Sequence, residues 1–235
     1  MFALPTHVGP ALKRSNLEHY KVRSVTLVID SDPNLPKAPS RIQQRNRSRI
    51  LEAALEVFSS HGYRGATLDQ IATEAGLSKP NILYYFAGKE DIHVTLLSQL
   101  MSTWLDPLKE MDPNGEPIEE LLAYVHRKLD MAIELPRESR LFANEILQGA
   151  PRMGPHLSAD LKPLFDDRTA VILRWMETGK IARSDPAHLL FSIWATTQHY
   201  ADFAAQTEVL LPQAECRHSG ARDFLSQLFT KLLTP

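Results

Sequence analysis

The stretch Thr67–Lys89, TLDQIATEAGLSKPNILYYFAGK, resolves residue by residue into two short helices and a tight turn. Thr67-Leu-Asp-Gln70 has the spacing of a capping box, in which the hydroxyl and the amide satisfy free backbone groups at a helix start. Leu68, Ile71, Ala72 and Ala75 recur at helical spacing and give one apolar face. Gly76 supplies a turn residue suited to positive φ. Ser78 is a good N-cap, and Pro80 falls in a first turn, where its missing N–H costs nothing. Leu77 can plug the gap between the helices, while Ile82 and Phe86, four apart, face one core. Lys79, Asn81, Tyr84 and Tyr85 are left to point outward.

Helices in this order make a helix-turn-helix, which sets its second helix in the DNA major groove with its N-terminal residues at base edges. The competing reading is an ordinary helical hairpin in a core. Against it, two adjacent tyrosines beside Asn and Lys make an unusual solvated face, which normally carries Glu and Lys.

Upstream, Arg41, Arg45, Arg47 and Arg49 precede and enter a helix expected over roughly 44–61. Ile50, Ala54, Val57 and Phe58 share its buried face, and His61-Gly62 ends it by a glycine stop. The arginines lie where this helix approaches the DNA backbone, whose contacts add register and salt-dependent affinity but no sequence information. Downstream, Lys89-Glu90 opens a fourth helix over about 89–110. A lysine beside a helix N-terminus is a natural phosphate clamp, because free backbone N–H groups point the same way. The apolar face from Ile92 to Leu108 makes this helix the lever between the DNA reader and the rest.

Beyond the loop Asp112–Pro117, helices are expected over roughly 117–134, 138–149, 155–178, 186–208 and 217–233, with Pro136, Gly149, Gly179 and Pro186 marking several of their ends. The chain therefore reads as all-α, with about nine helices. A mostly disordered arm covers residues 1–40, a helix-turn-helix DNA-binding domain 41–93, and a helical effector-binding and dimerisation domain 94–235. A short strand at Val22–Ile29 is the one β signal, without an obvious partner.

Composition narrows the function. Of 235 residues, 43% are hydrophobic, enough for a sizeable core. The single cysteine, Cys216, excludes a disulfide within the chain and suits a reducing compartment. No apolar run approaches a membrane span, and VTLVI at Val25–Ile29 is too short for a signal-peptide core, so a cytoplasmic protein is expected. The net charge of −2 conceals +6 over residues 1–49 and −8 over 50–235, which suits one end docking on phosphates. There is no Gly-rich phosphate loop, no G-x-S-x-G, no H-E-x-x-H and no paired-cysteine motif, so neither an enzyme nor a cofactor or metal is expected.

Ala53, Phe58, Gly62, Thr67, Ile71, Ala72, Ala75, Gly76, Ser78, Tyr84, Phe86, Lys89 and Glu90 together resemble the DNA-binding domain of TetR-family transcriptional repressors. Leu83 and Gly88 depart from that family's usual Tyr and Ser. The resemblance implies a homodimer on a palindromic double-stranded DNA operator, released by a small effector. The expected DNA contacts are Arg47, Thr67, Lys79, Pro80, Asn81, Tyr84, Tyr85 and Lys89. Asn81–Phe86, Trp104–Lys109, Ser139–Phe142, Gly149–Pro151 and Ile193–Phe203 further resemble the family's pyrimidine-utilisation repressors, over about residues 45–208. That branch implies uracil or thymine as effector; another catabolite or a drug is the alternative.

The residues allow such a site. A pyrimidine needs an aromatic platform for its faces and an amide or carboxylate for its edge. Trp194 and Gln198 are four apart on one helix; Asn144, Glu145 and Gln148 are expected to share a face of another; Trp104 lies at the far end of the lever. Trp104, Glu145, Trp194 and Gln198 are the expected ligand contacts. The alternative has both tryptophans in the core and the polar pair satisfying buried backbone. His199 and Asp202, three apart, read as hydrogen-bonded core or interface residues rather than metal ligands. Phe191, Ile193, Phe203, Phe224, Leu225, Leu228, Phe229 and Leu232 hold more apolar surface than a monomer should expose, and a four-helix interface between two chains would bury it.

Overall fold

In the computed structural model the described residues are 40–235. The arm expected up to residue 39 and the strand at Val22–Ile29 lie outside them. Helix α1 (Arg41–Gly65) starts on Ser40, whose hydroxyl accepts from the Gln43 N–H while the Ser40 N–H donates to Gln43 Oε1 at 2.8 Å. This second capping box starts the helix earlier than its apolar face begins. Gly62, at φ 66° and ψ 170°, breaks the helical path and swings the last turn off axis. The glycine stop is thus a kink followed by one more turn.

The reader itself forms as its sequence implies. Helix α2 (Leu68–Ala75) is capped reciprocally by Thr67 and Gln70, with Thr67 N–H to Gln70 Oε1 at 2.8 Å and Gln70 N–H to Thr67 Oγ1 at 3.2 Å. Gly76 ends it in the left-handed region, at φ 57°. Helix α3 (Lys79–Tyr85) is capped by Ser78, with Pro80 in its first turn.

Then follow α4 (Lys89–Glu110), α5 (Pro117–Glu134) and α6 (Pro136–Leu147). Helix α7 runs over 154–177, through one turn at Gly154–His156, a π-helical turn at Leu157–Leu161 and a regular helix at Lys162–Glu177. Helices α8 (Pro186–Asp202), α9 (Ala204–Leu210) and α10 (Ala214–Leu233) complete the chain. Among the described residues that makes ten helices, one more than expected. The added break is at Phe203, whose φ of −112° and ψ of 29° split the expected 186–208 helix in two.

Two apolar cores result. The first is built on Ile50, Phe58, Ile71, Ile82, Phe86 and Ile92, continues along α4 through Leu97 and Met101, and is closed by Leu141 of α6 and by Met153. The second gathers Leu108, Leu121, Leu129, Ile172, Leu190, Ile193 and Phe229. Helix α4 contributes to both. Helix α6 packs on α1 and is pinned there by Arg137, which pairs with Glu52 at 2.7 Å and Glu56 at 3.0 Å.

Gly76 is where the turn demands glycine. An added Cβ would lie 2.5 Å from Arg49 Nη2, a flexible end that can move, but the positive φ would remain. Gly76→Ala should lower the unfolding free energy by about 1 kcal/mol. Gly88→Ala, at extended φ with nothing near its added Cβ, should change it by less than about 0.5 kcal/mol. Urea denaturation of both variants at one protein concentration checks this.

Candidate nucleic-acid interface and effector cavity

Lys79, Pro80 and Asn81 are exposed on the first turn of α3, and Tyr84 is 70% exposed one turn further. Thr67 is exposed at the head of α2, where its hydroxyl caps the helix. Lys79 Nζ pairs with Asp69 at 2.9 Å, but both side chains are largely in water. Such a pair is weak and exchanges readily for a phosphate. Helix α1 braces α3 from behind. Gln43 Nε2 donates to Tyr84 Oη at 3.1 Å, and Asn46 Nδ2 to Tyr85 Oη at 3.0 Å. Arg47 donates to the Tyr85 carbonyl at 3.2 Å and lies 4.2 Å over the Phe86 ring. Each tyrosine here accepts, so its own O–H proton remains to donate.

Lys89 is more tied down than its position at a helix start implies. Its Nζ donates to the Tyr63 carbonyl at 2.8 Å and the Ala66 carbonyl at 2.7 Å, and lies 4.5 Å over the Tyr63 ring. It therefore satisfies carbonyls at the end of α1. An ammonium has three N–H donors, so one is left for a phosphate.

A cavity of about 670 Å³ lies between α4, α5, α6, α8 and the π-helical turn of α7. It brings together Trp104, Trp194 and Gln198, as expected, with Asn144 on another wall. Trp194 Nε1 donates to Tyr124 Oη at 2.6 Å, and burial pushes the Tyr124 phenol above its ordinary range. Lys128 enters from α5, is 4% exposed, and stands 5.3 Å from the centre of the Trp104 ring. Among the described residues no carboxylate makes an ion pair with it. Burial pushes its ammonium from 10.5 down to about 7.

Glu145 is not on the cavity, which corrects the expectation. It is 3% exposed, and its Oε1 accepts the Arg152 backbone N–H at 2.7 Å. The reason is its partner: the carboxylate is held by the turn that follows α6, where the Arg152 backbone N–H and guanidinium take it. Gln148 lies past the end of α6, beside His61–Arg64. Asp202 lines the cavity and accepts from Ser139 Oγ at 2.6 Å, whereas His199 is exposed and stacks on Phe203 at 4.9 Å. The pair does not act together. On the last helices Phe191, Phe203, Phe224, Leu228 and Leu232 are exposed, but Ile193, Leu225 and Phe229 are spent in the core.

Two family models match this chain. "Bacterial regulatory proteins, tetR family" covers residues 50–94, and "YcdC-like protein, C-terminal region" covers residues 97–235. The chain belongs to the TetR family. It is a TetR-type DNA-binding transcriptional regulator and not an enzyme. It is 45% identical over 171 residues to the HTH-type transcriptional regulator RutR of Escherichia coli, covering 73% of this chain and 81% of that protein. It is 29% identical over 153 residues to the HTH-type transcriptional repressor NicS of Pseudomonas putida, covering 61% and 68%. In fold it is similar to AibR in complex with isovaleryl coenzyme A and operator DNA, with a TM-score of 0.62 at 16% identity over 78% of this chain and 97% of that one. No helix among the described residues is long and apolar enough to cross a membrane.

Within this TetR chain, two sets of site residues escaped the sequence reading: Gln43 and Asn46 behind the reader, and Tyr124 with Lys128 on the cavity. Gln43 and Asn46 share a helix face with Arg47, a spacing that would have found them. Lys128 sits within the apolar stripe Leu121, Tyr124, Val125, Leu129 of α5. A lysine at a core register is the signal that was there to be read.

Lys128 has a testable effect on stability. Its folded value is depressed, so between about pH 7 and 10.5 the unfolded chain binds more protons than the folded one. Stability should rise with pH across that window and be lowest below it. Lys128→Met should remove the slope and add about 2–4 kcal/mol at pH 6, read from urea unfolding at a series of pH values.

Proposed function

We propose that this regulator is a homodimeric, cytoplasmic repressor that leaves a palindromic operator when a pyrimidine base, uracil or thymine, occupies the cavity. The observation that carries the reading is the meeting of Trp104, Trp194 and Gln198 around one space, in a chain that resembles the pyrimidine-utilisation repressors. The indoles offer flat apolar platforms. The Gln198 amide offers one donor pair and one acceptor, matching the alternation of N–H and C=O along a pyrimidine edge. Tyr124 and Lys128 add donors for ring carbonyls. Glu145 has no part in this contact set.

On the DNA side, we assign Lys79, Pro80 and Asn81 to base edges, and Arg47, Thr67, Tyr84, Tyr85 and Lys89 to backbone phosphates. Phe191, Phe224, Leu228 and Leu232 supply an exposed apolar face for a second copy.

A second reading is favoured by size. About 670 Å³ is room for a ligand well beyond a single base ring. Larger catabolites are then the competing effector class.

Calorimetry with uracil, thymine and adenine separates the two readings. Uracil or thymine should bind in the micromolar range and adenine should not. Gln198→Ala should bind uracil at least about tenfold more weakly and stay on the operator, with operator affinity itself unchanged. Release of that variant at the wild-type uracil concentration would refute the Gln198 assignment. Asn81→Ala should cost about 1–3 kcal/mol on operator and little on random DNA, measured by fluorescence anisotropy.

A further inference from the structure

We propose that Arg152 is the positioning residue that couples the cavity to the DNA reader. The inference rests on the effector-released reading above. Helix α6 gives Phe142, Asn144 and Ile146 to the cavity, while Glu145 points away from it. The Glu145 carboxylate takes the Arg152 backbone N–H at 2.7 Å and lies 3.4 Å from Arg152 Nη1. From there the guanidinium reaches 3.5 Å over the Tyr63 ring, just past the kink of α1, and its Nε lies 3.4 Å from Glu90 in the first turn of α4. One side chain, 17% exposed, thus touches the three helices whose relative placement sets the reader.

The turn that delivers Arg152 is tied to α6. Gly149 and Ala150 both have positive φ, 88° and 52°, and the Ala150 N–H donates to the Glu145 carbonyl at 2.9 Å. Left-handed backbone at a non-glycine residue is strained and persists only where its surroundings over-determine it. A shift of α6 at the cavity therefore carries this turn with it. Met153, next in the chain, is 0% exposed inside the reader's own core. At the other end of α6, Arg137 grips Glu52 and Glu56 of α1. The helix is fastened to the reader at both ends, with the cavity between.

Linkage is reciprocal, so an operator that answers to the cavity must also alter the cavity. This permits a test that needs no effector. In a Trp175→Phe background, which leaves Trp104 and Trp194 as reporters, acrylamide quenching is measured with and without a duplex that the wild-type protein has selected from a random pool. Operator should change the quenching constant in the background protein. In Arg152→Met the change should vanish, with operator affinity within threefold and the protein still folded at the assay temperature; Arg152→Lys should restore part of it. Uracil should then release the parent from operator and not Arg152→Met.

A change in quenching that survives Arg152→Met overturns the proposal, as does the absence of any change in the parent. Joint loss of operator binding and thermal stability would make Arg152 a structural prop and overturn it too. An Arg152-dependent quenching change in a protein that does not bind uracil would leave the coupling standing and remove the pyrimidine reading alone.

Discussion

One helix has to satisfy two cores, and the rest of the architecture follows from that. Ile92 and Leu97 are fully buried at one end of α4 and Leu108 is 1% exposed at the other. Burying that whole face is worth several kcal/mol, so α4 cannot swing free of either core. The ends of neighbouring elements are then fixed to it. The Lys89 ammonium draws in the carbonyls of Tyr63 and Ala66, which sets where α1 stops and where α2 starts. The reader's orientation is thus decided by the buried face of α4 and by carbonyls at the end of α1, apart from the turn of α3 that carries Lys79, Pro80 and Asn81.

The local devices of the reader were legible because each acts within three or four residues. Thr67 with Gln70, Gly76, and Ser78 with Pro80 each declare a helix end by their own chemistry, and the structure uses all of them. The Ser40–Gln43 box is the same device and was passed over, because it precedes the apolar pattern instead of opening it. Phe203 announced nothing: no Gly or Pro marks that break.

The cavity was legible in part, for a different reason. Trp194 and Gln198 share a face by simple periodicity, and Trp104 follows from the length of α4. Glu145 was misplaced because its partner, the Arg152 backbone N–H, belongs to a turn that helical periodicity does not reveal. Lys128 was missed although it interrupts an apolar stripe. A buried ammonium without a carboxylate is costly to hold and is retained only where something else uses it. Its ammonium stands 5.3 Å from the centre of the Trp104 indole, whose face is itself a site for cations.

The closure of the reader's core by Leu141 and Met153 has a consequence in the order of synthesis. Chains emerge from the ribosome N-terminus first, and domains generally fold as they emerge. Helices α1 to α3 carry their own side-chain N-caps, but two buried side chains of the reader's core, Leu141 and Met153, are made only with α6 and the turn behind it. A nascent chain that has released the reader alone holds an open core. The core beneath the DNA-binding surface is therefore completed only once α6 and the turn behind it have been made.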